Sequence, residues 1–227
     1  MERNMENETK KAEVHRINVV QGIVDNTQQV LQQAKPFEAC LSLAVAIKDM
    51  RTELKPYLPS IKYLMDSHLG FRTDRAGKPP YSDETITDCI ITAAMQGLNP
   101  AGNQFNIIAG NCYITKQGIT HLLKKVKGLT DMKLNFGIPV LKSGGALVSF
   151  HASWKLNGKS DSMAGDVPVK LNNQMGSDGA IGKAERKVKV RMYAQITGSE
   201  LTDGEVNEDI PMKAVEKVNP LDALEQE

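Results

Sequence analysis

No apolar run in this chain approaches the roughly 18 residues that cross a bilayer. A membrane-spanning reading is therefore set aside. Cysteine is scarce: Cys40, Cys89 and Cys112 are odd in number and far apart, which fits a reducing cytosol rather than a disulfide scaffold. The first residues, MERNMENETKK, lack the apolar core of a signal peptide. Together these absences predict a soluble, cytoplasmic protein with no membrane partner. Net charge is nearly absent too, at +1. That total excludes little, because binding depends on where charges lie rather than on their sum.

Motifs for enzymatic chemistry are also missing. Gly158-Lys159-Ser160 resembles the end of a phosphate loop, but Ser153 stands where the earlier glycine is required, and the tripeptide sits in a predicted hairpin. Gly176, Gly179 and Gly182 read as a flexible loop, so ATP-driven chemistry and a bound cofactor are not expected. His15, His68, His121 and His151 have no carboxylate or cysteine at ligand spacing. Asp83, Glu84, Asp88 and Asp131 are too scattered to suggest the metal cluster of a nuclease, and no Ser-His-acid set stands out. The reading is non-enzymatic, with no catalytic residue and no metal.

What is present is segregated charge. From Lys183 to Arg191 five basic residues face only Glu185, whereas the chain after Glu200 is mostly acidic, opposed by Lys213 and Lys217. On a helix Lys183, Lys187 and Arg191 recur every four residues as one stripe, with Arg186 and Lys189 at neighbouring angles, which predicts a single basic ridge. Lys116, Lys124, Lys125 and Lys127 make a second basic cluster. Acids are nearly absent from both, so self-neutralising i,i+4 pairs are expected to be missing, and no acidic residue is expected close to the hairpin at Ala109-Gly110-Asn111 and its basic helix. A solvated helix face explains either run alone; the shortage of acids favours a polyanion, held by phosphate contacts that weaken with salt. Tyr113, Trp154 and Tyr193 could stack bases, although Trp154 lies on an alternating apolar face and reads as core. His121, on the basic helix, reads as a DNA contact or as a solvated side chain.

Periodicity predicts an α+β chain: a small antiparallel sheet and a hairpin packed with several helices, between flexible termini. Residues 1–35 read as an arm that is disordered or helical on assembly, 36–199 as the core, and 200–227 as an acidic tail. Ile61, Leu64, Met65 and Leu69 predict one helical stripe closed by Gly70. Ser82 caps a helix whose apolar face is Ile86, Ile90, Ala93 and Ala94, with Cys89 beside it and Gly97 as its stop. A hairpin around Ala109-Gly110-Asn111 leads to a helix with Ile119, Leu122, Leu123 and Val126 inward and its lysines outward. Met132, Leu134, Phe136 and Ile138 alternate as a strand, and so do Val148, Phe150, Ala152 and Trp154. Asn157-Gly158 turns the chain back toward Val167 and Val169, and a last helix runs from about Ala180 to Ile196.

Four landmarks stand in order: AAMQGLNP with Gln104 in the loop after it, the hairpin FNIIAGNCYIT, Gln117-Gly118-Ile119 opening a helix, and the basic helix GKAERKVKVRMYAQI. This set resembles the RecT/Redβ family of phage single-strand annealing proteins over roughly Leu64 to Gly198. An ERF-type annealing protein is a related reading. The resemblance implies an annealing core and ATP-independent binding of single-stranded DNA. It also implies pairing of complementary strands through a duplex intermediate in phage-type recombination, and homo-oligomeric rings or filaments. A phage or prophage origin follows from it. The expected DNA contacts are Tyr113, Lys116, Gln117, Lys124, Lys125, Lys127, Lys183, Arg186, Lys187, Lys189 and Arg191. The tail has three readings: it meets a companion exonuclease or the host single-strand-binding protein, it shields the groove, or it is solubilising chain, which its composition favours. The rival classes are a non-annealing interaction module and a metal-dependent nuclease.

Overall fold

Helices and antiparallel strands alternate in a computed structural model that describes residues 18–30, 34–142, 144–171, 175–199 and 201. The expectations for the first seventeen residues and for the acidic tail beyond Leu201 fall outside these. Helix α1 covers 18–30. It is followed by α2 (Pro36–Leu54), a 3-10 turn (Lys55–Tyr57), α3 (Leu58–Lys62) and α4 (Asp83–Met95). Strands β1 (Phe105–Ile108) and β2 (Asn111–Ile114) precede α5 (Lys116–Lys125). Strands β3 (Leu129–Phe136), β4 (Val140–Lys142), β5 (Gly145–Leu156) and β6 (Lys159–Lys170) then form one sheet, and α6 (Ser177–Thr197) closes the fold. The α+β class expected from the sequence is what is found.

Helix α4 forms for local reasons. The Ser82 hydroxyl accepts from the Thr85 N–H at 3.2 Å, and Asp83 and Glu84 sit at the positive end of the helix dipole. Ile86, Cys89, Ile90, Ile91 and Ala93 are buried, and Gly97 takes a left-handed φ of 77° just past the end. Each large side chain buried this way contributes about 1.5–3 kcal/mol. Arg51 of α2 pairs with Asp88 at 2.8 Å, tying these helices together on the surface.

The β1–β2 hairpin turns through Ala109 and Gly110, both at positive φ, as tight two-residue hairpins require. Its tip is clamped by the loop before α4. Asp74 accepts from the Ala109 N–H at 3.1 Å, and the Tyr81 hydroxyl accepts from the Gly110 N–H at 2.9 Å while donating to Asp74 at 2.5 Å. The Arg75 guanidinium lies 4.2 Å from the centre of the Tyr81 ring.

In the larger sheet β5 pairs along its whole length with β6, through the Asn157-Gly158 turn, and on its other side with β3 and β4 in succession. Ala146, Val148, Phe150, Ala152 and Trp154 share the buried face of β5, and α6 packs over it with Ala184, Val188 and Met192. Trp154 is core, as expected.

Three expectations are corrected. The stripe from Ile61 to Leu69 is not one helix: α3 ends at Lys62, Asp66 adopts a φ of 58°, and its carboxylate accepts from the Thr73 N–H at 2.6 Å, leaving Leu69 exposed. The β3 alternation breaks at an irregularity between Thr130 and Lys133, where Asp131 has a φ of 52°. Met132 is thus exposed, and Ile138 lies beyond the strand. Helix α6 starts at Ser177, three residues before the expected Ala180.

Candidate nucleic-acid interface

Helix α5 is placed by three contacts. The Thr115 hydroxyl accepts from the Gly118 N–H at 3.2 Å and donates to the Asn103 carbonyl at 2.5 Å. Position 118 must be glycine, since a Cβ there would sit 1.9 Å from the Gln104 carbonyl oxygen. At the far end Lys125 Nζ donates to the Gly97 carbonyl at 3.1 Å, satisfying a group at the end of α4. Gln104 works in the same frame, its side chain accepting from the Asn99 N–H at 2.8 Å. Gly118 and Gln104, two of the sequence landmarks, therefore position the basic helix.

Ile119, Leu122 and Leu123 face the core, as the spacing predicts. Opposite them, Lys116, Gln117, Thr120, His121 and Lys124 line an open recess of about 310 Å³. Helix α5 contains no acidic residue. Lys127 is exposed but lies past the end of the helix rather than on it. Burial holds the His121 imidazole below its ordinary range, and the cations of Lys125 and Lys124 push the same way against a backbone contact with Gly97.

The α6 cluster does not form the single ridge expected. Residues two apart on a helix point about 200° apart, so Lys187 and Lys189 leave on opposite sides. Lys183 and Lys187 reach the outer edge of β6, donating to the carbonyls of Lys170 at 3.2 Å and Pro168 at 3.1 Å. There they cover the open hydrogen-bonding edge of a strand. Lys189 turns toward α5 instead, donating to Thr120 Oγ1 at 2.9 Å and to Glu185 at 2.6 Å. Lys116 pairs with the other oxygen of Glu185 at 2.6 Å. Burial works to raise the Glu185 pKa, but the bonds from Lys116 and Lys189 outweigh it and hold the carboxyl below its usual range. The expectations that i,i+4 pairs are missing from the basic clusters and that no acid stands near the hairpin and its basic helix are thereby corrected.

Buried positions revise further site residues. Arg186, Lys189 and Tyr113 are only 4%, 6% and 7% exposed. The Arg186 guanidinium lies over the Tyr113 ring, 4.4 Å from its centre. Tyr113 is thus a packing residue between β2 and α6, not an open stacking platform. Arg191 is exposed near the C-terminal end of α6.

Of the eleven expected contacts, Lys116, Gln117 and Lys124 share one recess, while Lys125 and Lys127 are exposed but do not line it. Thr120 was missed: nothing in KQGITHLLKK marks it, and only the approach of α6 gives it a role. Between residues 101 and 199, fourteen lysines and arginines stand against five acidic residues. Two of those acids are engaged by cations, Glu185 as above and Asp131 with Lys155 at 2.8 Å. Among the described residues no group of three or more His, Cys, Asp or Glu side chains is placed to hold a metal ion.

Compared with models of known protein families, with curated proteins and with solved structures, the chain matches none.

Proposed function

We propose that this chain binds single-stranded DNA along the outer face of α5 and anneals complementary strands without ATP, as a homo-oligomer. The observation that carries the reading is the recess of Lys116, Gln117, Thr120, His121 and Lys124 on a helix without acids, in a half of the chain where basic residues outnumber acidic ones almost threefold. Cations of this kind neutralise phosphates without reading sequence. Annealing needs that combination: backbone repulsion is screened while base edges stay free to pair. The burial of Tyr113 and Trp154 fits it as well, since stacked bases would have to be released before pairing. The ordered landmarks that resemble RecT/Redβ annealing proteins support the same class, and Gly118 and Gln104 supply a structural reason for two of them.

Self-association is supported by two unlike apolar patches on one chain. Phe37, Leu41 and Val45 repeat every four residues on α2 and are 75%, 53% and 58% exposed; Ile138, Val140 and Leu141 are exposed beside β4. Contact between unlike patches of successive copies is head-to-tail, and such contacts build rings or open filaments rather than isolated dimers. Many weak phosphate sites then act together.

Binding is tested by titrating the full chain with random-sequence single strands and with duplex of equal length at several salt concentrations. Salt-sensitive binding that favours the single strand is expected. Equal indifference to both nucleic acids would remove the reading in favour of an interaction module.

A further inference from the structure

We infer that each protomer takes one unstacked nucleobase of a bound strand into a cavity beside α5, between α1 and the turn that follows α4. The inference rests on the reading of α5 as the phosphate-binding face, and it names what happens to a base there. The cavity measures about 300 Å³, at the lower end of the range for small-ligand pockets. It adjoins the basic recess, because His121 lines both. A nucleotide whose phosphate lies against Lys124 thus has the cavity on the other side of the same imidazole. Lys125 lines it as well, with its amine held by the Gly97 carbonyl at 3.1 Å.

The lining suits a base. Met50, Leu54, Ile90 and Leu98 are buried and give an apolar floor, on which the face of any base packs. Gln21, Asp25 and Asn99 stand exposed at the rim. Between them they offer donors and acceptors, so the edge of any base finds a partner. Among the described lining residues there is no arginine to impose guanine through a bidentate contact. The Gln21 amide donates to Asp25 at 2.8 Å, which places the carboxylate at the mouth. Its charge repels a phosphate and leaves the cavity to the uncharged end of the nucleotide. Helix α1 is fixed as the outer wall by buried Val24 and by Gln28, whose amide donates to the Met95 carbonyl at 3.1 Å.

Such a cavity supplies a preference that phosphate contacts lack. A lysine neutralises the backbone of single strand and duplex alike. A base inside a duplex must first be unstacked and unpaired before it can enter, a penalty that a single strand largely escapes. One base per protomer leaves the remaining edges free to pair. When the complementary strand arrives, the held base leaves the cavity for its partner, and the duplex loses that contact. The protein thereby favours the strands it receives over the duplex it forms.

The test uses two short oligomers with the same number of phosphates, one of thymidylate and one whose sugars are all abasic. Each is titrated with the full chain at low salt and followed by fluorescence anisotropy. The unchanged protein should hold the thymidylate strand about tenfold more tightly. Ala94→Met on α4 and Val20→Met on α1 each fill the cavity from a half-buried lining position with a flexible side chain that cannot stack like a ring. Thermal melts verify that both variants stay folded. Each should bind the two strands alike, at the level of the abasic strand on the unchanged protein. Lys124→Ala with Lys127→Ala should instead weaken both strands and keep their ratio. Equal affinity of the unchanged protein for the two strands would overturn the cavity while leaving phosphate binding on α5 in place. A preference for bases that survives both filling substitutions would overturn it too, since the bases then touch the protein elsewhere. If neither strand binds, the nucleic-acid reading fails and the inference falls with it.

Discussion

The Arg186 guanidinium lies 4.4 Å from the centre of the Tyr113 ring, and through that contact α6 grips the β1–β2 hairpin. Both side chains are almost fully buried. The pair is worth about 1 kcal/mol beyond its packing. A double-mutant cycle of Tyr113→Leu and Arg186→Met, read by urea unfolding, should return a coupling of that size. Strictly additive effects of the two single substitutions would show that ring and guanidinium do not interact. Tyr113→Ala should cost about 3 kcal/mol through the cavity it leaves.

Lysines that look alike in the sequence should separate by role. Lys124→Ala combined with Lys127→Ala should weaken binding to all single strands alike and reduce the salt slope by about 1.4, at about 0.7 for each phosphate no longer neutralised. Stability should stay within about 0.5 kcal/mol. Lys189→Ala should instead destabilise the fold by about 1–3 kcal/mol, because it strips Glu185 and Thr120 of a buried donor. An unchanged salt slope in the first variant would take the end of α5 out of the interface.

His121 supplies a pH signature. Burial first, then Lys125 and Lys124, place its folded pKa below 6.5, the value it takes when unfolded. Between those two values the unfolded chain binds a proton that the folded chain does not. Stability is therefore full above about pH 6.5 and declines as pH falls toward the folded value. Oligonucleotide affinity runs the other way, since a phosphate beside the ring favours the imidazolium, and should rise over the same range. His121→Gln should flatten both curves, in thermal melts and in fluorescence anisotropy. An affinity curve that the substitution leaves unaltered would place the imidazole outside the interface.

Assembly should depend on α2. Leu41→Glu puts a charge in the middle of an exposed apolar stripe and buries nothing new, so the protomer should melt within a few degrees of the parent while its oligomers disappear in analytical ultracentrifugation. Val140→Glu should do the same from the other patch. If single Glu variants at both patches sediment like the parent, head-to-tail contact through these faces is wrong.

Local rules made much of this fold legible. The Ser82 cap, the Gly97 stop, two hairpin turns and the alternation of β5 each follow from signals a few residues long. Errors came where a distant partner decides. Asp66 ends the stripe after α3 because its carboxylate serves Thr73, and no periodicity encodes that. The basic clusters were visible as composition, but not their partners. Lys183 and Lys187 are drawn to carbonyls of β6, and Lys189 to Glu185 one turn earlier on its own helix. Tyr113 could be taken for a stacking surface only until the packing of α6 over it was known.

Annealing itself is the sharpest test. Two complementary oligonucleotides, one carrying a donor dye and the other an acceptor, are mixed with the full chain in a chelator and without any nucleotide triphosphate. Duplex should form many times faster than in the protein-free control at low salt and slow as salt rises, and Lys124→Ala with Lys127→Ala should remove most of the acceleration. Duplex appearing at the protein-free rate, while the strands are demonstrably bound, would contradict annealing and leave only a binding module.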